Sequence, residues 1–169
     1  MRFTPLAAAS FLALAVQAPA FAQAQGFAQI GPSDYGYADD GIGIKLGADF
    51  APNLNGVKGL GLTAFYAHTD SDERYFDRRW NHDAHSFAFG PTYTYAFPGT
   101  KFAVQGRAFL ELSWVRWETP CCRQSDSDLG IGIGLGAQYA LDSKFAIRLD
   151  YDMLDVGADL LSVGVGFRF

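Results

Sequence analysis

From Lys101 to Trp114 the chain alternates. Phe102, Val104, Ala108, Leu110, Leu112 and Trp114 share one parity, while Ala103, Gln105, Arg107, Glu111 and Ser113 share the other. Period two marks a strand with one oily and one polar face, not a helix with its 3.6 spacing. The same rule holds over 41–50, 59–69, 84–97, 129–141, 144–153 and 160–169, which predicts seven strands. An eighth is expected from Gln25 to about Gly36, although Phe27, Ala28 and Ile30 do not alternate cleanly and Pro32 would interrupt a ladder. An even strand count places both chain ends on one side of a closed antiparallel barrel. The connections alternate as well: short at 52–58, 98–100 and 142–143, and mostly longer and polar between. The long set includes TDSDERYFDRRWNHD over 69–83 and ETPCCRQSDSD over 118–128, with shorter members near 33–40 and 155–159. Short turns at one end and longer loops at the other suit an all-β, eight-stranded antiparallel up-and-down transmembrane β-barrel.

Alternation alone does not choose a membrane, because a soluble barrel would simply turn its apolar face inward. The contents of the two faces do. The polar face is mostly small: Gly130, Gly132, Gly134 and Gly136 on one strand, Gly164 and Gly166 on another. A water-facing surface would carry more Lys and Glu, whereas the cramped lumen of a small barrel needs small residues beside large ones. The inward charges are Lys45, Arg107, Arg148 and Arg168 against Asp49, Glu111, Asp150 and Asp152, four of each sign. Such a balance is expected of a lumen whose buried charges pair into a structural network. On the apolar face, Phe50, Tyr93, Tyr95, Phe97, Phe102, Tyr139, Phe145, Phe167 and Phe169 fall near the short-turn end. Tyr66, Phe87, Trp114 and Tyr151 fall near the long-loop end, with aliphatic residues between. Two aromatic girdles around an aliphatic band are what a bilayer selects.

The start of the chain fits this destination. Arg2, an apolar run from Leu6 to Val16 and the small residues of Ala20-Phe21-Ala22 have the anatomy of a secretory signal peptide, expected over 1–22, leaving a barrel domain over 23–169. The 169-residue chain carries 13 Lys+Arg against 18 Asp+Glu. That acidic balance, without a basic stripe, excludes nucleic acid as the expected partner. Cysteine is confined to Cys121-Cys122, so no disulfide framework is expected; the state of the pair stays open between free thiols, an intermolecular bridge and a metal contact.

The pattern, and above all the tail row of Leu161, Val163, Val165, Phe167 and Phe169, resembles the small outer-membrane β-barrels of Gram-negative bacteria. Examples are the outer membrane protein A transmembrane domain and the opacity-type surface antigens. The resemblance implies a monomer in the cell outer membrane, with both termini in the periplasm and no peptidoglycan-binding domain following. It also implies that the tail row is the signal presented to the assembly machinery.

Candidate chemistry is sparse. A barrel of this size is filled by side chains, so a diffusion porin is not expected and a narrow gated pore is the lesser alternative. A lipid A-modifying enzyme would need a nucleophile and base together, yet His85 and Ser86, as neighbours on a strand, point to opposite faces. No catalysis, cofactor or metal site is expected, and His68, His82 and His85 are read as rim residues. In the loop at 69–83, Arg74, Arg78, Arg79 and Trp80 could contact lipopolysaccharide phosphates, or a host or envelope protein, beside the plainer reading of a solvated loop. The expected role is structural or surface-interacting, antigen- or adhesin-like. A soluble lipocalin-like binder is the third class considered.

Overall fold

Alternating side chains become alternating walls in the computed structural model, which describes residues 24–34, 41–50, 57–75, 78–118, 123–155 and 157–168. The expected signal peptide, Cys121-Cys122 and Phe169 lie outside the described residues. Eight strands follow in chain order: β1 (Gln25–Asp34), β2 (Gly41–Phe50), β3 (Leu60–Tyr75), β4 (Arg78–Ala96), β5 (Phe102–Glu118), β6 (Arg123–Ala140), β7 (Phe145–Met153) and β8 (Asp159–Arg168). Each pairs antiparallel with the next and β8 pairs back onto β1, closing an up-and-down barrel. Closure removes the free sheet edges that an open sheet would present.

The one strand that looked irregular obeys the rule after all. On β1, Phe27, Gln29 and Ser33 are buried in the lumen while Ala28, Ile30 and Pro32 face outward. Phe27 looked out of step only because the lumen, too, holds apolar residues. Pro32 lacks an N–H, and the β1–β8 ladder skips from Ile30↔Val163 to Ser33↔Leu160 while the β1–β2 ladder continues through Pro32↔Ile42. Gly90-Pro91 on β4 repeats the device, for the β4–β5 ladder skips from Phe89↔Leu110 to Thr92↔Arg107. At both places the preceding glycine lets a neighbouring carbonyl approach, Leu161 at Gly31 and Ala108 at Gly90, where a Cβ would collide.

The outward row of β5 runs from Phe102 to Trp114 without a charge, and Arg116 follows at once. Twelve residue steps at ~3.3 Å each, tilted by roughly 40°, span about 30 Å, the thickness of a bilayer's hydrocarbon core. Ile131 and Leu135 on the neighbouring strand are 70% and 69% exposed, far more than any soluble core residue would be. Rings mark the two ends of this band. Tyr95 packs edge-on against Phe97 and Phe145 lies tilted against Phe167 at the short-turn end, while Tyr66, Phe87 and Trp114 contact one another in sequence at the other.

The short turns are built from local chemistry. In Phe97-Pro98-Gly99-Thr100 the Thr100 N–H bonds the Phe97 carbonyl at 3.2 Å and Gly99 has φ of +73°, the geometry of a type II turn with Pro and Gly in their preferred places. In the β6–β7 turn, Asp142 Oδ1 accepts from the backbone N–H of Lys144 at 2.7 Å and of Phe145 at 2.8 Å. These bonds, Phe145 first, hold the exposed Asp142 carboxyl below the usual carboxylate range.

At the opposite end the described residues of the two longest expected loops, 69–75, 78–83, 118 and 123–128, are strand. The β3–β4 ladder runs to Tyr75↔Arg78, and the β5–β6 ladder to Glu118↔Arg123. By contrast β2 leaves β3 at Ile42↔Asp70 and β7 leaves β6 at Ile133↔Met153. One half of the wall, β3 to β6, therefore projects beyond the other. Polar composition suggested loops here; backbone pairing between antiparallel neighbours carries the ladder on regardless of polarity, since both faces of the projection can meet water.

Candidate functional site

Inside the barrel the glycines of β6 make room for what faces them. A Cβ at Gly134 would collide with Oδ1 of Asp152 and lie 2.6 Å from Nε of Arg107; one at Gly136 would collide with Asp150, and one at Gly132 with the Phe109 ring. Overfilling of this kind costs about 1–3 kcal/mol. Gly134→Ala is accordingly expected to lower the urea midpoint of the barrel folded in lipid vesicles, with Gly106→Ala, whose Cβ would meet only Leu135 at 3.9 Å, as the near-neutral control.

The space so made holds a closed knot of charge. Lys45 Nζ bonds Asp150 at 2.8 Å and Asp152 at 2.6 Å. Arg107 reaches Asp152 through Nε at 2.7 Å and Asp150 through Nη1 at 3.2 Å. Arg148 reaches Asp49 at 2.6 Å and Asp150 at 3.2 Å. Gln105 joins the set, its Oε1 accepting from Arg148 at 2.9 Å and its Nε2 donating to Asp49 at 3.2 Å. Three cations thus face three carboxylates, and Oδ2 of Asp150 takes a bond from all three cations. β2, β5 and β7 supply these groups; Gly134 and Gly136 of β6 and Gly164 of β8 leave room beside the β7 charges, while β3 sends the Phe65 ring to within 5.4 Å of Lys45 Nζ. Lys45, Glu111 and Asp152 are wholly shielded from solvent, so at this level the lumen is filled.

Two of the eight expected lumen charges stand apart. Arg168, inward by parity, sits at the end of β8 on the short-turn side, is exposed, and takes no part in the knot's ion pairs. Glu111 is fully buried but meets neutral donors instead of a cation: Ser86 Oγ donates to it at 2.5 Å and the backbone N–H of Asp155 at 2.8 Å. It lies two inward positions nearer the long-strand end than Arg107, with Phe109 between, and its bond to Asp155 ties the β7–β8 turn down onto the wall.

A reading by parity also missed an apolar plug. Phe27, Phe65, Ala67, Ala88, Phe109, Leu154 and Leu160 form a buried cluster within the lumen. Phe65 and Phe109 meet edge to face at 4.9 Å, and the Arg148 guanidinium lies 4.2 Å from the Phe27 ring centroid. The signal was present in the sequence as single aromatics at inward positions. It was masked by the rule that apolar means outward.

The histidines divide as parity requires. Ser86 faces the lumen and is held by Glu111, whereas His85 faces outward, half exposed. On that outer face His85 pairs across the β3–β4 ladder with His68, and the rings stack at 4.6 Å. Asp83 lies on the same face one step higher, with Tyr66 one step lower, its hydroxyl 2.6 Å from His85 Nδ1. Every described serine of β3 to β5 (Ser71, Ser86 and Ser113) is buried on the lumen side, so no serine joins these imidazoles. Arg74, Arg78, Arg79 and Trp80 fall on the projecting hairpin, where the backbone register pairs Arg74 with Arg79, Tyr75 with Arg78 and Glu73 with Trp80.

Comparison with known proteins agrees with this architecture. Residues 5–169 match the family described as the outer membrane protein beta-barrel domain. Among solved structures, Neisserial surface protein A aligns with a TM-score of 0.65 at 15% identity, covering 87% of this chain and 96% of that one. Ail, the attachment invasion locus protein of Yersinia pestis, in complex with the heparin analogue sucrose octasulfate, aligns at 0.57 and 17%, again over 87% and 96%. The N-terminal β-barrel domain of Pseudomonas aeruginosa OprF aligns at 0.55 and 15%, over the same shares. At these identities the likeness is one of fold. No curated protein matches the sequence significantly.

Proposed function

The chain belongs to the outer membrane protein beta-barrel domain family and is an integral β-barrel of the cell outer membrane, and from that premise we propose that it works without catalysis, as a scaffold whose projecting hairpins make surface contacts. The observation that carries this reading is the uneven height of the wall: β3 to β6 continue their ladders well past the level at which β7 and β8 turn into each other, and past the last described residues of β1 and β2. A barrel serving only to span the membrane has no need of a raised half. The filled lumen, with its charge knot and apolar plug, speaks against a gated conduit. The divergence of Ser86 from His85 speaks against a lipid A-modifying enzyme.

The contact chemistry favoured by the sequence of the β3–β4 hairpin is anionic. Arg74, Arg78 and Arg79 lie within two rungs of its tip, and guanidinium forks suit phosphate and sulfate oxygens. Lipopolysaccharide, whose phosphates stand at the same surface, is the ligand we assign. Ail, crystallised with a polysulfated ligand, offers the same chemistry in a related fold. Replacing Arg74, Arg78 and Arg79 together with alanine is expected to weaken lipopolysaccharide binding by the folded barrel at low salt by about tenfold or more, with a shallower salt dependence. Equal binding by wild type and triple variant would remove this reading.

Outer-membrane lipid is the remaining partner of the wall, and the chain acts as a monomer. The outward row of β8, Leu161, Val163, Val165 and Phe167, together with Phe169, is the segment we assign to recognition by the assembly machinery.

A further inference from the structure

We propose that His68, Asp83 and His85 form a binding site for a divalent metal ion of the zinc class, on the outer wall at the rim of the apolar band. Asp83 Oδ1 lies 3.4 Å from His68 Nδ1 and 3.0 Å from His85 Nε2, and the three ligand atoms all fall within 4.8 Å of one another. A tetrahedral ion with bonds of about 2.0–2.1 Å to nitrogen and oxygen spaces its ligands by roughly 3.3 Å. Two edges of such a tetrahedron are therefore already drawn. The site is built by register: His68 and His85 are direct partners on β3 and β4, and Asp83 is on the same face of β4 two residues away.

Two further features point to a cation at the centre. His68 Nδ1 and Asp83 Oδ1 are both shielded from solvent and neither has a hydrogen-bond partner, although they face each other. Nδ1 of His85 is gripped by the Tyr66 hydroxyl at 2.6 Å. When that ring nitrogen carries the proton, the Nε2 lone pair faces the Asp83 carboxylate, an opposition of two acceptors that a metal ion turns into attraction. A hydroxyl on the far nitrogen of a ligand imidazole also holds the ring's orientation. Two imidazoles and one carboxylate suit zinc, copper or nickel rather than calcium or magnesium. With three protein ligands, a fourth position is left for water or another oxygen donor. Arg116 of β5, paired in register with Asp83 and exposed, is the neighbouring charge that opposes the metal.

The test uses the untagged mature barrel folded in detergent micelles, in a Cys121→Ser/Cys122→Ser background so that no thiolate competes, titrated with Co2+ as a spectroscopic probe and then with Zn2+. One equivalent of Co2+ is expected to give the visible absorption of a tetrahedral site, bleached by Zn2+. His68→Ala, His85→Ala and Asp83→Asn should each weaken binding at least about tenfold, and Tyr66→Phe by about tenfold without changing the stoichiometry. Arg116→Ala should tighten it. Each variant is checked for folding by heat-modifiable gel mobility, and Zn2+ should raise the urea midpoint of the wild type but not of Asp83→Asn. No tetrahedral cobalt spectrum, or a spectrum unchanged in folded His68→Ala and Asp83→Asn, overturns the proposal.

Discussion

Asp150→Ala is expected to destabilise the folded barrel by about 3–5 kcal/mol, the cost of breaking a buried ion pair by deleting one partner. The reason lies in the position of one atom. Oδ2 of Asp150 receives Lys45 at 2.8 Å, Arg107 at 3.2 Å and Arg148 at 3.2 Å, so its loss leaves three buried cations to share Asp49 and Asp152. None of the three can reach water, since Lys45, Arg107 and Arg148 are all buried. Urea unfolding in lipid vesicles reads the effect. Arg168→Ala, at an exposed rim position, is the matched control and should change stability by less than about 0.5 kcal/mol. If the two variants behave alike, the knot is not what holds the lumen together.

Ile133→Arg is expected to cost about 2–4 kcal/mol in the same assay, whereas Ser127→Arg should cost no more than about 1 kcal/mol. Both positions face outward on β6, and they differ in height. Ile133 pairs with Ala108, midway along the charge-free row of β5, while Ser127 pairs with Trp114 in the upper aromatic girdle. In hydrocarbon an arginine at mid-depth must be desolvated or must thin the bilayer; at the girdle its guanidinium reaches the headgroups. Were this face exposed to water, neither substitution would matter and the gradient would vanish.

How far the sequence foretold these features follows from which signals are local. Strand parity is local, so seven strands could be placed by alternation and the glycine stripe of β6 could be assigned inward before any contact was known. The lumen charges were legible for the same reason, as was the balance of their signs. Partner choice was not, because it depends on height within the barrel. Height is set by strand register and tilt rather than by parity, which is why Arg168 and Glu111 were grouped with charges they do not meet. The inward Phe27, Phe65 and Phe109 were missed because two-faced alternation assumes a polar lumen, and a closed small barrel must also fill its volume. The long polar connections were read as loops since composition reports solvent, while the β3–β4 and β5–β6 ladders are backbone pairings that polar side chains do not forbid. The His68–Asp83–His85 cluster was invisible as a unit because His68 and His85 meet only once the β3–β4 register is known.

The apolar outer face of the barrel meets lipid. The most direct measurement is collisional accessibility of a nitroxide attached at Ile133→Cys, in a Cys121→Ser/Cys122→Ser background, with the barrel in lipid bilayers. Ready relaxation by oxygen, which concentrates among acyl chains, is expected, with almost none by a water-soluble nickel chelate. A label at Ile133 that the nickel chelate reaches as freely as oxygen does would contradict it.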